Sequence, residues 1–384
     1  MNRNIVVLLI AITLSGTLFA QSEAGAIWLL INPGARADGM GEVGAAIAND
    51  VYATYYNPAG LGFLRGREAT LMHTTWLPNL ASDMYYDFLG YFQFIPTIGT
   101  VGGNIILMNL GEQTATDERG NVLGTFESYM IASSASYGTE LSRTASVGIS
   151  VKMIHQHLTN ILAGREKGKG YSTNFGFDFG YLKKEFLTKN LTMGATISNI
   201  GPKISFIDVN QADPMPTNLK LGFGYTIEGE YNKFSIAYDI NKLLVASYPD
   251  RDLDNNGKIG GHGDMGEYNS KNKREVAHTD EWYVGIFTSW IDDWLLVENG
   301  SLKREFEKLT HNLGMEYWYS DLFAIRFGFI YDKLGKILMK DKWPVPTFGA
   351  GLRYAGMGFD FGYTAGDPGH PRQNTMLFSL NLKF

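Results

Sequence analysis

Met376-Leu377-Phe378-Ser379-Leu380-Asn381-Leu382-Lys383-Phe384 ends the chain, and its side chains alternate. On an extended strand Phe378, Leu380, Leu382 and Phe384 point one way, and Ser379, Asn381 and Lys383 the other. One face is apolar to the last residue. A half-buried strand of a soluble sandwich reads the same way, so the rest of the chain has to decide between the two.

Working backwards, the same period of two returns repeatedly. Phe175, Phe177, Phe179 and Tyr181 oppose Asn174, Gly176, Asp178 and Gly180. Leu219, Leu221, Phe223, Tyr225 and Ile227 oppose Lys220, Gly222, Gly224, Thr226 and Glu228. Phe323, Ile325, Phe327, Phe329 and Tyr331 oppose Ala324, Arg326, Gly328 and Asp332, with Ile330 breaking the pattern. The segments are about ten residues long, the length a tilted membrane strand needs. Their polar faces mix glycine with single charges, as a crowded lumen does, and their apolar faces are large and often aromatic at the ends. The expected fold class is therefore all-β: a transmembrane antiparallel β-barrel.

Strands read near 67–78, 84–95, 99–110, 126–137, 143–157, 170–183, 190–199, 217–228, 232–244, 310–319, 322–332, 345–355, 357–365 and 376–384 give about 14 in total. An even count suits a single-chain bacterial barrel with short periplasmic turns and long outer loops. The stretch Glu281 to Trp290 would make the count odd if it were a strand. Trp282, Ile286 and Trp290 recur in it at helical spacing, so it belongs to a long outer loop, 245–309. A loop of that length usually has a function.

Composition agrees with many strands: Gly 45, Phe 23 and Tyr 21. The net charge of −6 without a long basic run argues against nucleic acid as a partner. The absence of cysteine excludes disulfides, thiolate metal sites and cysteine nucleophiles. Residues 1–20 read as a signal peptide: Arg3 supplies the positive start, Ile5 to Leu14 the apolar core, and Ala20 a cleavage point. No later run is long and apolar enough for a membrane helix. The location expected is the outer membrane of a Gram-negative bacterium, with its lipid as a permanent partner.

Residues 21–66 do not alternate. They hold small side chains and the turn Asn57-Pro58-Ala59-Gly60, and could pack as a hatch inside the barrel of 67–384. The run GARADGMGEVGAAIANDVYATYYNPAGL at 34–61 resembles the N-terminal signature of the PorV/PorQ family of outer-membrane proteins, relatives of the FadL-type transporters. SNIGPKISF at 198–206, PMPTNLKLGFGY at 214–225 and NLGMEYWYSDLFAIRFGF at 312–329 bring it closest to the PorV branch. The terminal Phe384 likewise resembles the signature read by the barrel-assembly machinery. The resemblance implies a FadL-like barrel of fourteen strands with an N-terminal hatch, serving the type IX secretion system. It also implies partners: an SprA-like translocon, cargo proteins carrying a type IX C-terminal signal domain, and a sortase-like attachment complex. The insertion 250–273 fits the family less well.

Several constellations remain. Asp252, Asp254 and Asn256, followed by Gly257, match the first half of a calcium loop within 250–267. The closing Glu is missing, and a polar turn explains the same residues. His155 and His157 share a strand face without an evident third ligand. Asp178, Lys220, Glu228, Asp239, Arg326, Arg353 and Asp360 fall on the inferred lumen face, where charges are cheap if wet or paired. No GxSxG, phosphate loop or HExxH occurs, so no enzyme and no cofactor is expected. Two functions are compatible with this reading. The first is binding of exported cargo at the translocon and its transfer to the attachment complex, with Trp282, Phe287, Trp290 and Trp294 as anchors. The second is FadL-like transport of long-chain hydrophobic small molecules.

Overall fold

The computed structural model describes residues 24–78, 80–117, 119–159, 170–206, 212–249, 277–292, 294–295, 301–332, 344–366 and 374–384. The expected signal peptide and the calcium-type residues Asp252, Asp254 and Asn256 lie outside them.

Fourteen antiparallel strands close into one barrel. They are β1 (Arg67–Thr75), β2 (Tyr85–Ile95), β3 (Gly99–Thr116), β4 (Val122–Ser142), β5 (Ala145–His157), β6 (Tyr171–Lys183), β7 (Leu191–Ile200), β8 (Asn218–Glu228), β9 (Asn232–Leu243), β10 (Thr310–Tyr319), β11 (Phe323–Asp332), β12 (Val345–Tyr354), β13 (Met357–Thr364) and β14 (Thr375–Lys383). Each pairs with its neighbours in sequence, and β9 pairs with β10 across the long loop. The terminal strand closes the ring against the first, in the register Glu68 to Lys383, Thr70 to Asn381 and His73 to Phe378. The Phe384 amide donates to the Arg67 carbonyl at 3.1 Å. Closure leaves no sheet edge facing lipid, which backbone polar groups in hydrocarbon require.

The alternation resolves as a lipid face and a lumen face. Phe175, Phe177 and Phe179 are exposed on the outside, while Gly176 and Asp178 between them are buried. Ile330, which breaks the pattern, is buried on the lumen side. No helix among the described residues is long and apolar enough to cross a membrane; the strands do it.

The β3–β4 hairpin is longer than the sequence suggests. Residues 111–125 look like a polar loop, yet Glu112 pairs with Glu127 and Thr116 with Val122 beyond a bulge at Asn109. Polarity marks where the strands leave the membrane, not where pairing stops. In the long outer loop Trp282–Thr288 is helical, a second helix covers Leu302–Glu307, and Ser247–Pro249 pairs with Ala277–Thr279 in a two-stranded ribbon.

Residues 24–66 run through the barrel interior as short helical turns: Ile27–Leu30, Ala35–Asp38, Ala53–Tyr56 and Pro58–Phe63. Glycines on the lumen face of the strands make this possible. A Cβ at Gly180 would collide with the Asn57 side chain, one at Gly194 with the Ala45 carbonyl, and one at Gly328 with the Gly41 amide. The segment is nearly all buried. Tyr52 stacks on Phe88 of β2, with ring centroids 4.8 Å apart.

Two outcomes test this architecture. Phe177→Arg, at mid-strand on the lipid face, should cost about 2–4 kcal/mol in reversible unfolding from lipid vesicles. Deleting Phe384 should lower the fraction of heat-modifiable, folded barrel recovered from outer membranes. A normal folded fraction would mean that closure does not need the last ring.

Candidate functional site

Three features of the barrel could carry function: the contact between the N-terminal segment and the wall, a cavity above that segment, and the outer loop.

The contact is built from charge. Arg36, in the helical turn Ala35–Asp38, forks onto Glu316 of β10, with Nε to Oε2 at 2.9 Å and Nη2 to Oε1 at 2.8 Å. Its Nη1 reaches Asp50 at 2.8 Å and Asn49 at 2.6 Å. Glu316 also receives Arg326 Nε at 2.7 Å, and Arg326 Nη1 lies 2.9 Å from Asp360. Arg353 Nη2 and Asn381 Nδ2 complete Asp360 at 2.7 and 2.8 Å. Three guanidiniums thus meet three carboxylates, Asp50, Glu316 and Asp360. Such pairing is what makes charge tolerable away from water. Backbone contacts add to it. Asp239 accepts the Gly44 and Ala45 amides at 2.7 and 2.9 Å. Asn57 donates to the carbonyls of Ala45 and Tyr181 and accepts the Ala59 amide. Ser146 Oγ donates to the Ala59 carbonyl at 2.7 Å. Asn57, Pro58, Ala59 and Gly60 are all buried at this wall contact.

The lumen charges fall into groups. Arg326, Arg353 and Asp360 belong to the network just described. Asp178 pairs with Lys152 at 2.9 Å and accepts the Asn199 amide at 2.8 Å. Lys220 lines the upper cavity. Glu228 sits at the β8–β9 hairpin, largely exposed, beside Lys233 at 2.7 Å. It lines a vestibule of about 710 Å³ at that end of the barrel, with Trp318 and Arg353 in its wall. The remaining partners, Arg36, Asp50 and Glu316, were not singled out in the sequence. Glu316 was legible, since it alternates against Met315 and Tyr317. Arg36 carried no signal beyond being the one cation in a run of small residues.

Among the described residues no group of three or more metal-ligating side chains occurs, at His155 and His157 or elsewhere. His157 stacks on Tyr129 at 5.1 Å, and His155 lies 6.0 Å from Tyr171. Both occupy the aromatic rim where β5 leaves the membrane.

Above the segment lies a cavity of about 80 Å³ with a mixed lining: Glu42, Lys152 and Lys220 are charged, and Ile27, Leu29 and Ile330 are apolar.

The long loop is tied to the wall by Lys242 of β9, which reaches Glu305 at 3.4 Å, and is braced internally by Lys308, which reaches Asp292 at 2.7 Å; all four side chains are buried. Burial pushes the Glu305 carboxyl up from its ordinary range, while Lys308 and Lys242 oppose that rise. Lys242 Nζ lies 5.0 Å from the Trp290 ring centre, and Gly285 is buried against Leu244 and Ala246. With its base fixed, the loop turns Trp282, Phe287, Trp290 and Trp294 outward; Phe287 is 74% exposed. Tyr283 and Phe306 of the same loop are exposed as well.

Arg36→Met should leave Glu316 and Asp50 short of a partner, at a cost of about 3–5 kcal/mol. The barrel strands should keep their amide protection while residues 24–66 exchange faster with deuterium. Unchanged exchange in that segment would show that the ion network does not hold it.

Comparison with known proteins agrees with this architecture. The toluene transporter TbuX of Ralstonia pickettii matches with a TM-score of 0.51 at 12% identity, covering 92% of this chain and 98% of its own. The Pseudomonas putida toluene transporter TodX matches with a TM-score of 0.50 at 14% identity, covering 92% and 99%. At these identities the likeness is one of fold. No curated protein matches the sequence. The model of the family described as type IX secretion system protein PorV matches residues 21–250, well over half of the chain. A fourteen-strand outer-membrane barrel, filled by a segment that carries the family's first motif, belongs to the PorV family of the type IX secretion system.

Proposed function

We propose that this barrel is a non-enzymatic docking protein that binds exported cargo at its outer face and passes it to the attachment machinery. The cargo is recognised through its C-terminal signal domain as it leaves an SprA-like translocon, and is delivered to a sortase-like complex. The observation that carries this reading is the latched outer loop. Trp282, Phe287, Trp290 and Trp294 stand exposed over a base fixed by Lys242, Asp292, Glu305 and Lys308. An aromatic surface that is already ordered loses little conformational entropy on binding, and aromatic anchors commonly dominate interface energy.

Residues 24–66 serve in this reading as a fixed hatch. Bonded to the wall through Arg36, Asn57 and the Gly44 and Ala45 amides, they keep the lumen closed while cargo is handled outside. Passage of a hydrophobic solute is disfavoured by the same features. The cavity above the hatch measures about 80 Å³, and pockets that hold apolar ligands of drug size are usually larger, roughly 300–1,000 Å³.

The test is affinity capture of the tagged chain from native outer membranes. Secreted cargo and a large translocon barrel should be recovered with it. Trp282→Ala together with Phe287→Ala should lower cargo recovery by about 2 kcal/mol or more of binding energy, without changing the amount of folded barrel. Capture of neither cargo nor translocon, or full recovery with the double variant, would overturn the reading.

A further inference from the structure

The outward side of the wall is not uniform in charge. Among the described barrel strands, the carboxylates that face outward are Asp87, Glu112 and Glu127, on β2, β3 and β4. Asp87 lies between the buried Tyr86 and Phe88, and Glu127 beside the buried Ser128, so both side chains point away from the lumen. Glu112 stands opposite Glu127 in register and shares its face. The outward positions of the other strands carry no carboxylate; on β6 they include Phe175, Phe177 and Phe179.

Glu112 and Glu127 are close neighbours. The Glu112 amide donates to Asp83 Oδ2 at 2.9 Å, away from β4. The Glu127 carbonyl lies 3.3 Å from His157 Nδ1, away from β3. Both backbones turn outward from the pair, and side chains of such a non-hydrogen-bonded pair approach most closely. Like charges directly opposite are destabilising, and no lysine or arginine among the described residues forms an ion pair with either. Lower on the same sector Asp87 has His73, at 2.6 Å. The arm is also accessible. β2 begins opposite Asn109, so beyond that point β3 has no described strand on its β2 side.

Below the acids the wall is hollowed by small side chains. Gly103 stands opposite Ala135, and Ile105 opposite Ser133. Leu89 on one side, and Val151 and Met153 on the other, stand exposed around them. The face thus offers an apolar hollow under a row of negative charge. A phosphorylated lipid headgroup would be repelled by those carboxylates, and an acyl chain gains nothing from them. A protein wall can meet both, with a large apolar side chain in the hollow and lysine or arginine above it.

We propose that the outward face of β2, β3 and β4 is a lateral docking surface for a second, membrane-embedded protein whose outer rim is basic at the contact. In the ring of strands this face lies across the barrel from β9 and β10, which carry the aromatic loop. The docking surface is therefore separate from the loop and does not rest on cargo binding there.

Photocrosslinking of the full chain in native outer membranes tests this. A photoreactive residue is placed at Ser133 in the hollow, at Leu107 on β3, and at Ile325 of β11 as the control across the barrel. Ser133 and Leu107 should give an adduct with one integral outer-membrane protein, and Ile325 should not. Mass spectrometry should map the adduct to a strand whose outer end carries lysine or arginine. Glu112→Gln together with Glu127→Gln should lower the Ser133 yield about fivefold, the loss expected for two exposed ion pairs. Glu127→Lys should lower it further, and heat-modifiability should show the same amount of folded barrel throughout. The proposal is overturned if Ser133 and Leu107 crosslink no more than Ile325, or only to lipid or to a second copy of this chain. An unaltered yield in the double glutamine variant would overturn it equally.

Discussion

Glu316 and the two arginines that share it set the terms for the rest of the interior. Arg326 comes from the neighbouring strand and Arg36 from the segment inside the barrel, and both reach one buried carboxylate. A carboxylate at that depth is stable only when neutralised and hydrogen-bonded. Glu316 therefore needs the wall and the segment together, and the contact ties them into one unit. Asp360 extends the network to Arg353 and Asn381, carrying it to the strand that closes the ring. Barrel closure and filling of the lumen are thus parts of one charge network.

That network has to be reached by backbone, and glycine makes this possible. Where the segment approaches the wall most closely, at Gly180, Gly194 and Gly328, a side chain on the strand would occupy the place of Asn57, Ala45 or Gly41. Small residues on the segment and absent side chains on the strands are complementary halves of the same packing. The result is a segment held to the wall by direct hydrogen bonds.

The outer loop follows the same logic at a smaller scale. One buried lysine–carboxylate pair ties it to β9 and a second braces it internally, and its large aromatic residues stand exposed. A long insertion thereby becomes a defined surface. Membership of the PorV family places the protein in the type IX secretion system.

The sequence alone was sufficient for the membrane strands. Their period of two, their length and the terminal Phe384 follow from one constraint, that a strand between lipid and lumen must present a different face to each. The even count followed, and with it the assignment of Trp282–Thr288 to the outer loop, because parity is a global property that local patterns can be summed to test. The sequence also placed Asp178, Arg326 and Asp360 on the inner face. It misjudged the β3–β4 hairpin, since strand pairing continues past the membrane through residues that read as loop. Tertiary structure alone decided which charges meet. Arg36 and Glu316 are 280 residues apart, and alternation says which way a side chain points but not what crosses the lumen to meet it. The same holds for Lys220, whose place on the inner face was legible, while its approach to Asn32 and Tyr56 emerged only once the inner segment was in position.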